Sequence, residues 1–211
     1  NWPMISGVGV KAMLGQVKQT FYVPDEAMGA VVLNAAMGPG MLEGLVGFGP
    51  QLVMEAPGQM TLVGEVGIGP IVSSIDSELC IALLPGAGFL PMPDVVIQAR
   101  IKNADAVVAK LRQSAHKANQ GFRELEVPEP WHHENLRGRS IFFNDGSTRM
   151  PGAIMPLVLR PVLFTTREKD AKDRERDFLV VALTSTSPSR LAARWLDLPR
   201  SGKARRLPSV R

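Results

Sequence analysis

Positive charge is what this sequence most conspicuously lacks over a long stretch. No lysine or arginine occurs between Lys18 and Arg100, yet the interval holds eight carboxylates: Asp25, Glu26, Glu43, Glu55, Glu65, Asp76, Glu78 and Asp94. Only Lys11 and Lys18 precede the gap, so 22 of the 24 basic residues lie from Arg100 onward, with 12 of the 20 acidic ones. Such an asymmetry bears on partners and docking and specifies no reaction. Cysteine is nearly missing as well. Cys80 stands alone, which excludes an intrachain disulfide framework and a multi-cysteine zinc site. Tyr22 is the only tyrosine and aromatics total 6%, poor material for stacking on nucleic-acid bases. The longest apolar run, Ala27 to Phe48, is split by Gly38-Pro39-Gly40 into pieces shorter than the roughly 20 residues that cross a bilayer, so no transmembrane helix is expected. Neither a phosphate loop (Gly-x-x-x-x-Gly-Lys-Ser/Thr) nor a Gly-x-Ser-x-Gly nucleophile elbow occurs.

What is present suffices for a sizeable core: 211 residues, 45% of them hydrophobic. The net charge of +4 comes from the second half. The chain opens on Asn1 rather than Met, which reads as a processed or partial chain, and a removed signal peptide leaves no trace.

Val10, Met13, Leu14, Val17 and Phe21 fall at helical spacing. Asp25 is placed to cap a second helix with Met28, Val31, Val32, Ala35 and Ala36 on its apolar face. Met41, Leu42, Leu45 and Val46 predict a third, and Leu62 to Val66 a weak strand. Met28, Met37, Met41, Met54 and Met60 are read as core filler between these helices, a Met-rich binding face being the alternative.

From Leu79 the pattern changes. Leu79–Leu84 is a buried strand, and Val95, Ile97, Ala99 and Ile101 alternate as a half-buried one. Asn103 then caps a helix carrying Val107, Val108 and Leu111. Residues 140–144, 155–165 and 177–185 predict further strands. Ser187 and Pro188 open a last helix with Leu191, Ala192, Trp195 and Leu196 inward. Asp94–Leu111 and Asp177–Leu196 share one layout of acid, strand, cap and helix, which suggests an internal duplication. Residues 167–177, almost wholly charged, read as a solvated hairpin tip, and 200–211 as a disordered basic tail.

Few residues carry chemistry. His132-His133-Glu134 is the first candidate, with His116 as the remaining histidine. Zinc requires ligands that converge, whereas adjacent histidines in extended chain diverge, so a polar loop leading into strand 136–144 is the competing reading. Gly7-Val-Gly9-Val-Lys-Ala12 fits the dinucleotide pattern but follows no good strand. A triad drawn from Ser73 or Ser74, a histidine and Asp76 is specified by nothing else, and Cys80 reads as an inert core residue. Neither a metal site nor a cofactor is expected.

Ser77-Glu-Leu-Cys-Ile-Ala-Leu-Leu-Pro85 followed by Pro93-Asp-Val-Val-Ile-Gln-Ala-Arg-Ile-Lys-Asn-Ala-Asp-Ala-Val-Val-Ala-Lys-Leu111 resembles repeats in a group of exported bacterial proteins of unknown function. Residues 137–196 resemble their continuation, so the resemblance spans about 72–197. It departs at Lys102-Asn103, where Asp is commoner, and in the charged hairpin 167–177. The resemblance implies an antiparallel sheet with helices on one face and an extracytoplasmic location, and it brings no active site.

The expectation is an α+β protein: a helical, acidic, Met/Gly-rich segment (1–60), an antiparallel sheet domain with helices on one face (61–199), and a basic tail (200–211). The leading function is a non-enzymatic extracytoplasmic binding or assembly module. The alternatives are a hydrolase using the His132, His133, Glu134 and His116 neighbourhood, and a module that meets a protein partner or an anionic polymer through the basic half. No base-specific nucleic-acid recognition is expected.

Overall fold

Segments rich in β-branched and aromatic residues pair into one antiparallel sheet, apolar on both sides. The structure, a computed structural model, describes residues 21–34, 74–86, 93–124, 129, 131–144, 160–169, 174–201 and 204–206. In chain order the elements are β1 (Tyr22–Pro24), β2 (Gly29–Asn34), β3 (Ile75–Leu84), β4 (Asp94–Ile101), α1 (Ala104–Glu124), β5 (Trp131–Leu136), β6 (Arg139–Asn144), β7 (Arg160–Lys169), β8 (Glu175–Thr184), α2 (Pro188–Ser201) and β9 (Ala204–Arg206). Seven strands form the main sheet in the order β2-β3-β4-β8-β7-β6-β5, and β1 pairs with β9 apart from it.

Register assigns every side chain to a face. One row crosses all seven strands as Val32, Cys80, Gln98, Val180, Phe164, Ile141 and Glu134. The adjacent row is Val31, Ile81, Ile97, Val181, Leu163, Phe142 and His133, and pleating turns it to the opposite side. The first face packs under Leu191, Ala192, Trp195 and Leu198 of α2 and under Phe21 and Val23. The second packs under Ala104, Val107, Leu111 and Ala115 of α1. The helices therefore cover both faces, not one. The cause is legible in β8, whose run Phe178-Leu-Val-Val-Ala-Leu183 has no polar face to leave in water.

The opposed helices also remove the suggested duplication. A two-fold axis normal to the sheet would relate antiparallel β4 and β8 without changing face, and so would not carry α1 onto α2. Nor do the two acids act alike. Buried Asp94 accepts from Thr184 Oγ1 (2.8 Å), Ser185 N (2.8 Å) and Ser185 Oγ (3.1 Å), tying the start of β4 to the end of β8. Asp177 instead pairs with Arg167 Nε at 2.8 Å.

Both expected helix starts are present. Asn103 Oδ1 accepts from Ala106 N at 3.0 Å, and Leu191 N donates to Ser187 O at 3.1 Å. The helix expected after Asp25 is replaced by β2. Asp25 and Glu26 sit in a turn closed by Ala27 N donating to Pro24 O (2.9 Å), and Gly29–Asn34 then pairs along β3. Adjacent β-branched Val31 and Val32 fit a pleated surface, and pairing overrides the helical spacing. Thus the described part of segment 1–60 is two strands and a turn, of which β2 joins the main sheet and β1 pairs with β9. Met28, expected in the core, is 67% exposed, while the predicted helices over 8–22 and 41–46, the strand at 62–66 and Met37, Met41, Met54 and Met60 lie outside the described residues, except for Phe21 and Tyr22.

Two more expectations change. Residues 131–136 form β5, not a loop, and close on β6 through Arg137 (φ 53°) and Gly138 (φ 74°). Two successive positive φ angles make the tight turn whose twist matches a β-hairpin. Within the tail, Ala204–Arg206 forms β9 and pairs with Pro24, Val23 and Tyr22. The charged run 167–177 spans the β7–β8 hairpin, where Lys169 faces Glu175.

Candidate functional site

Helix α1 lies over the β5 end of the sheet, and its spacing creates a cavity there. Arg112, Ala115, His116 and Asn119 follow one another at i, i+3, i+4 and i+7, so they share one face of the helix. Against them stand Trp131 and His133 of β5 and Phe142 of β6. With Glu129 and His132 these residues line a cavity of about 340 Å³. That volume falls at the lower end of the range for small-molecule sites.

Asn119 fixes the geometry. Its Nδ2 donates to Trp131 O (2.7 Å) and to Glu129 Oε2 (2.9 Å), and its Oδ1 accepts from Trp131 N (3.1 Å). A buried side-chain amide thus takes the place of a neighbouring strand and ties the start of β5 to α1. Glu129 also pairs with Arg123, whose hydrogen bond is the main cause holding this carboxyl below the usual range.

The aromatic wall is built by period-two alternation. Trp131 and His133 project to the α1 side, where the His133 ring stacks on Phe142 at 4.8 Å and 27°. His132 projects to the other side, with its ring centroid 5.5 Å from that of Phe143, and still contributes to the cavity wall. Partial burial, and next the charge of Arg112, push the His133 imidazole below its ordinary pKa. Arg112 and His116 are exposed at the rim. Trp131 is 3% exposed, and its indole Nε1 has no hydrogen-bond partner.

Of the sequence candidates, His116 and His133 meet at this cavity, His132 borders it from a strand position whose ring turns to the other side of the sheet, and Glu134 does not reach it. Glu134 shares His132's side of β5 and accepts from Ser189 Oγ of α2 at 2.7 Å. Among the described residues, no carboxylate hydrogen-bonds His116 or His133, and no group of three or more His, Cys, Asp or Glu is arranged to hold a metal ion. Ser74 stands at the entry to β3, five strand positions from β5 and so about 24 Å across the sheet. The triad from Ser74 does not assemble. Ser73 and the Gly7–Ala12 segment lie outside the described residues. Arg112, Asn119, Glu129 and Trp131 were not singled out from the sequence. A signal existed in Asn119, an amide of poor helix propensity on the same stripe as His116.

A second polar cluster lies under the opposite face. Glu168 is 4% exposed and Gln98 1%. Gln98 Nε2 donates to Glu168 Oε1 at 2.8 Å, and Thr166 Oγ1 donates to the same oxygen at 3.4 Å. Glu168 Oε2 and Gln98 Oε1 are buried without a hydrogen-bond partner. Burial pushes the Glu168 carboxyl up to about 7, against the pull of those two donors. The nearby Cys80 thiol is pushed up to about 12, by burial first and then by Glu168, which makes it unreactive.

Among the described residues no helix is long and apolar enough to cross a membrane. Compared with family models, curated proteins and solved structures, the chain finds no match.

Proposed function

We propose that this chain is a non-enzymatic binding module whose ligand site is the cavity between α1 and β5. One observation carries the reading: the cavity bordered by His116, His133, Arg112 and Trp131 is organised by an amide, Asn119, whose hydrogen bonds are spent on holding its walls. Fixed walls with open polar groups suit binding, because little ordering is left for the ligand to impose.

The hydrolase alternative draws support from His116 and His133 at the same cavity. It needs a base oriented by a second group, and Glu134 is engaged by Ser189 on the far side of β5. Binding is therefore favoured. The resemblance over 72–197 supports a location outside the cytoplasm. Attraction to an anionic surface through the basic half is a further role, and Arg205 and Arg206 on β9 are its nearest candidates.

Isotope-labelled protein titrated with a small-fragment set tests the reading. Saturable shifts confined to the Trp131 indole and to the His116 and His133 rings are expected. Fragments that shift only residues remote from α1 and β5 would refute it, and turnover of ester or amide fragments, abolished by His133→Ala, would replace it with the hydrolase.

A further inference from the structure

The two edges of the main sheet differ. Strand β5 exposes His133, Glu134 and Asn135, so its rim is polar and charged. Strand β2 has no such defence. Its sequence Gly29-Ala-Val-Val-Leu-Asn34 holds no charge and no proline, and it pairs with β3 in unbroken register over six positions. Among the described residues no strand pairs with its outer side, and Gly29, Ala30 and Val31 are exposed. An edge of this kind, without charge, proline or bulge, offers its N–H and C=O groups to any strand that can approach.

The exposed large hydrophobic residues among those described gather at the same place: Met28, Val31 (42%) and Leu83 (39%). Register explains two of them. Leu83 stands opposite Gly29, which has no side chain to cover it, and Val31, two residues along, lies on the same face. Helix α1 packs at the far end of that face, on Trp131, Phe142, Leu163 and Leu179. An apolar surface thus adjoins an open ladder, the combination that recruits another strand.

We propose that the occupant is a second copy of this chain, whose β2 pairs antiparallel with the first about a two-fold axis normal to the sheet, joining the two main sheets into one. A second copy brings the same uncharged strand, so pairing desolvates no charge on the edge. The antiparallel sense sends the exposed acidic turns at Asp25 and Glu26 to opposite ends of the paired strands, whereas a parallel pair would set them side by side. The axis also keeps each face continuous, so Val31 and Leu83 of both copies share one apolar surface. Because the β5 edge is polar, pairing uses β2 twice and closes at two chains. This inference stands apart from the cavity reading.

Sedimentation of the full chain at rising concentration, with hydrogen exchange followed on β2, tests this. A species of two chains is expected, and the alternate β2 amides that point away from β3 should gain protection as it forms. Val31→Lys changes an exposed side chain and brings two like charges together near the axis. It should weaken the dimer about tenfold or more, while Asn135→Lys on β5 leaves it unchanged. Should Val31→Lys fail to fold, the concentration-dependent exchange of the wild type decides. A chain that stays single up to about 1 mM, with those amides exchanging freely, would overturn the proposal. So would a dimer lost in Asn135→Lys but kept in Val31→Lys, or growth beyond two chains. Protection of the same amides in a single chain, and only on adding an extended valine-rich peptide, would overturn it in favour of a foreign strand.

Discussion

Replacing Glu168 by glutamine should stabilise this protein at alkaline pH, although it removes a charge from a chain with few acids to spare. The carboxyl lies 4% exposed on β7, one residue from the end of the strand, and its Oε2 and the Oε1 of Gln98 both lack a donor. Burial raises its folded-state pKa from the usual 4.5 to about 7. Below about pH 4.5 the group is neutral whether the chain is folded or not, and costs nothing extra. As pH rises towards 7 the unfolded chain loses this proton while the folded chain keeps it, so unfolding is favoured progressively. Above 7 both states are ionised and the full cost of a buried carboxylate is carried. At about 1.4 kcal/mol per pKa unit the shift corresponds to about 3 kcal/mol, a large share of the usual stability of a domain.

Glu168→Gln keeps the shape, keeps an acceptor for Gln98 Nε2 and supplies an N–H₂ where Gln98 Oε1 has no partner. Denaturant unfolding of both proteins from about pH 4.5 to 8.5 should show the wild type losing about 3 kcal/mol relative to the variant, most of it before pH 7. Cys80 offers a second readout. Its thiol, raised to about 12 in the folded state, reacts with a thiol reagent only after opening. Labelling at about pH 8 should be roughly a hundredfold slower in Glu168→Gln than in wild type when opening is global. Parallel loss of stability in the two proteins across this range would show that another group titrates, and the reasoning would fail.

Asp94→Ala leaves the Thr184 hydroxyl and the Ser185 N–H without their acceptor at the junction of β4 and β8; denaturant unfolding should register a loss of about 3 kcal/mol. Trp195→Ala empties a fully buried site between α2 and the sheet and should cost about 3–5 kcal/mol in the same assay. Asn119→Ala unties β5 from α1 and should cost about 2 kcal/mol, with early hydrogen exchange confined to β5; protection unchanged there would show that Asn119 does not hold the cavity wall.

The legible parts of the fold were those set by local chemistry. Strands β3, β4 and β8 follow from apolar runs and alternation, and the two helix starts from Asn103, whose side-chain oxygen accepts a helix N–H, and from Ser187-Pro188. What escaped depended on pairing. Gly29–Asn34 has helical spacing and becomes a strand because β3 offers an edge. His132-His133-Glu134 lies between prolines and turn residues, yet Arg137-Gly138 folds it back onto β6. The side on which each helix packs is equally invisible from one element, since it depends on how a crossing chain returns to the sheet. For the site, all three histidines were in view. The meeting of His116 with His133 was not, because it needs α1 to lie over β5, and the residue that enforces this, Asn119, looks like an indifferent polar residue until its partner strand is known.

The gap in positive charge acquires a physical meaning from the strand order. Strands β2 and β3 come from within it and occupy one end of the sheet, while every basic residue of the main sheet sits on β4 to β8. The described strands of the gap, β2 and β3, are thus continuous with the sheet that holds β4 to β8. Leu79 to Leu84 is in register with β4, and Arg100 stands opposite Phe178 as the first cation past that end. The two charge populations also meet in the fold, where Glu26 in the turn after β1 pairs with Arg194 of α2. The aromatic cavity with its open guanidinium lies at the other extreme, five strands from β3. Asp76 and Glu78 of β3 stand about 24 Å across the sheet from β5, beyond the Debye length of about 8 Å at physiological salt, so they are screened from the cavity.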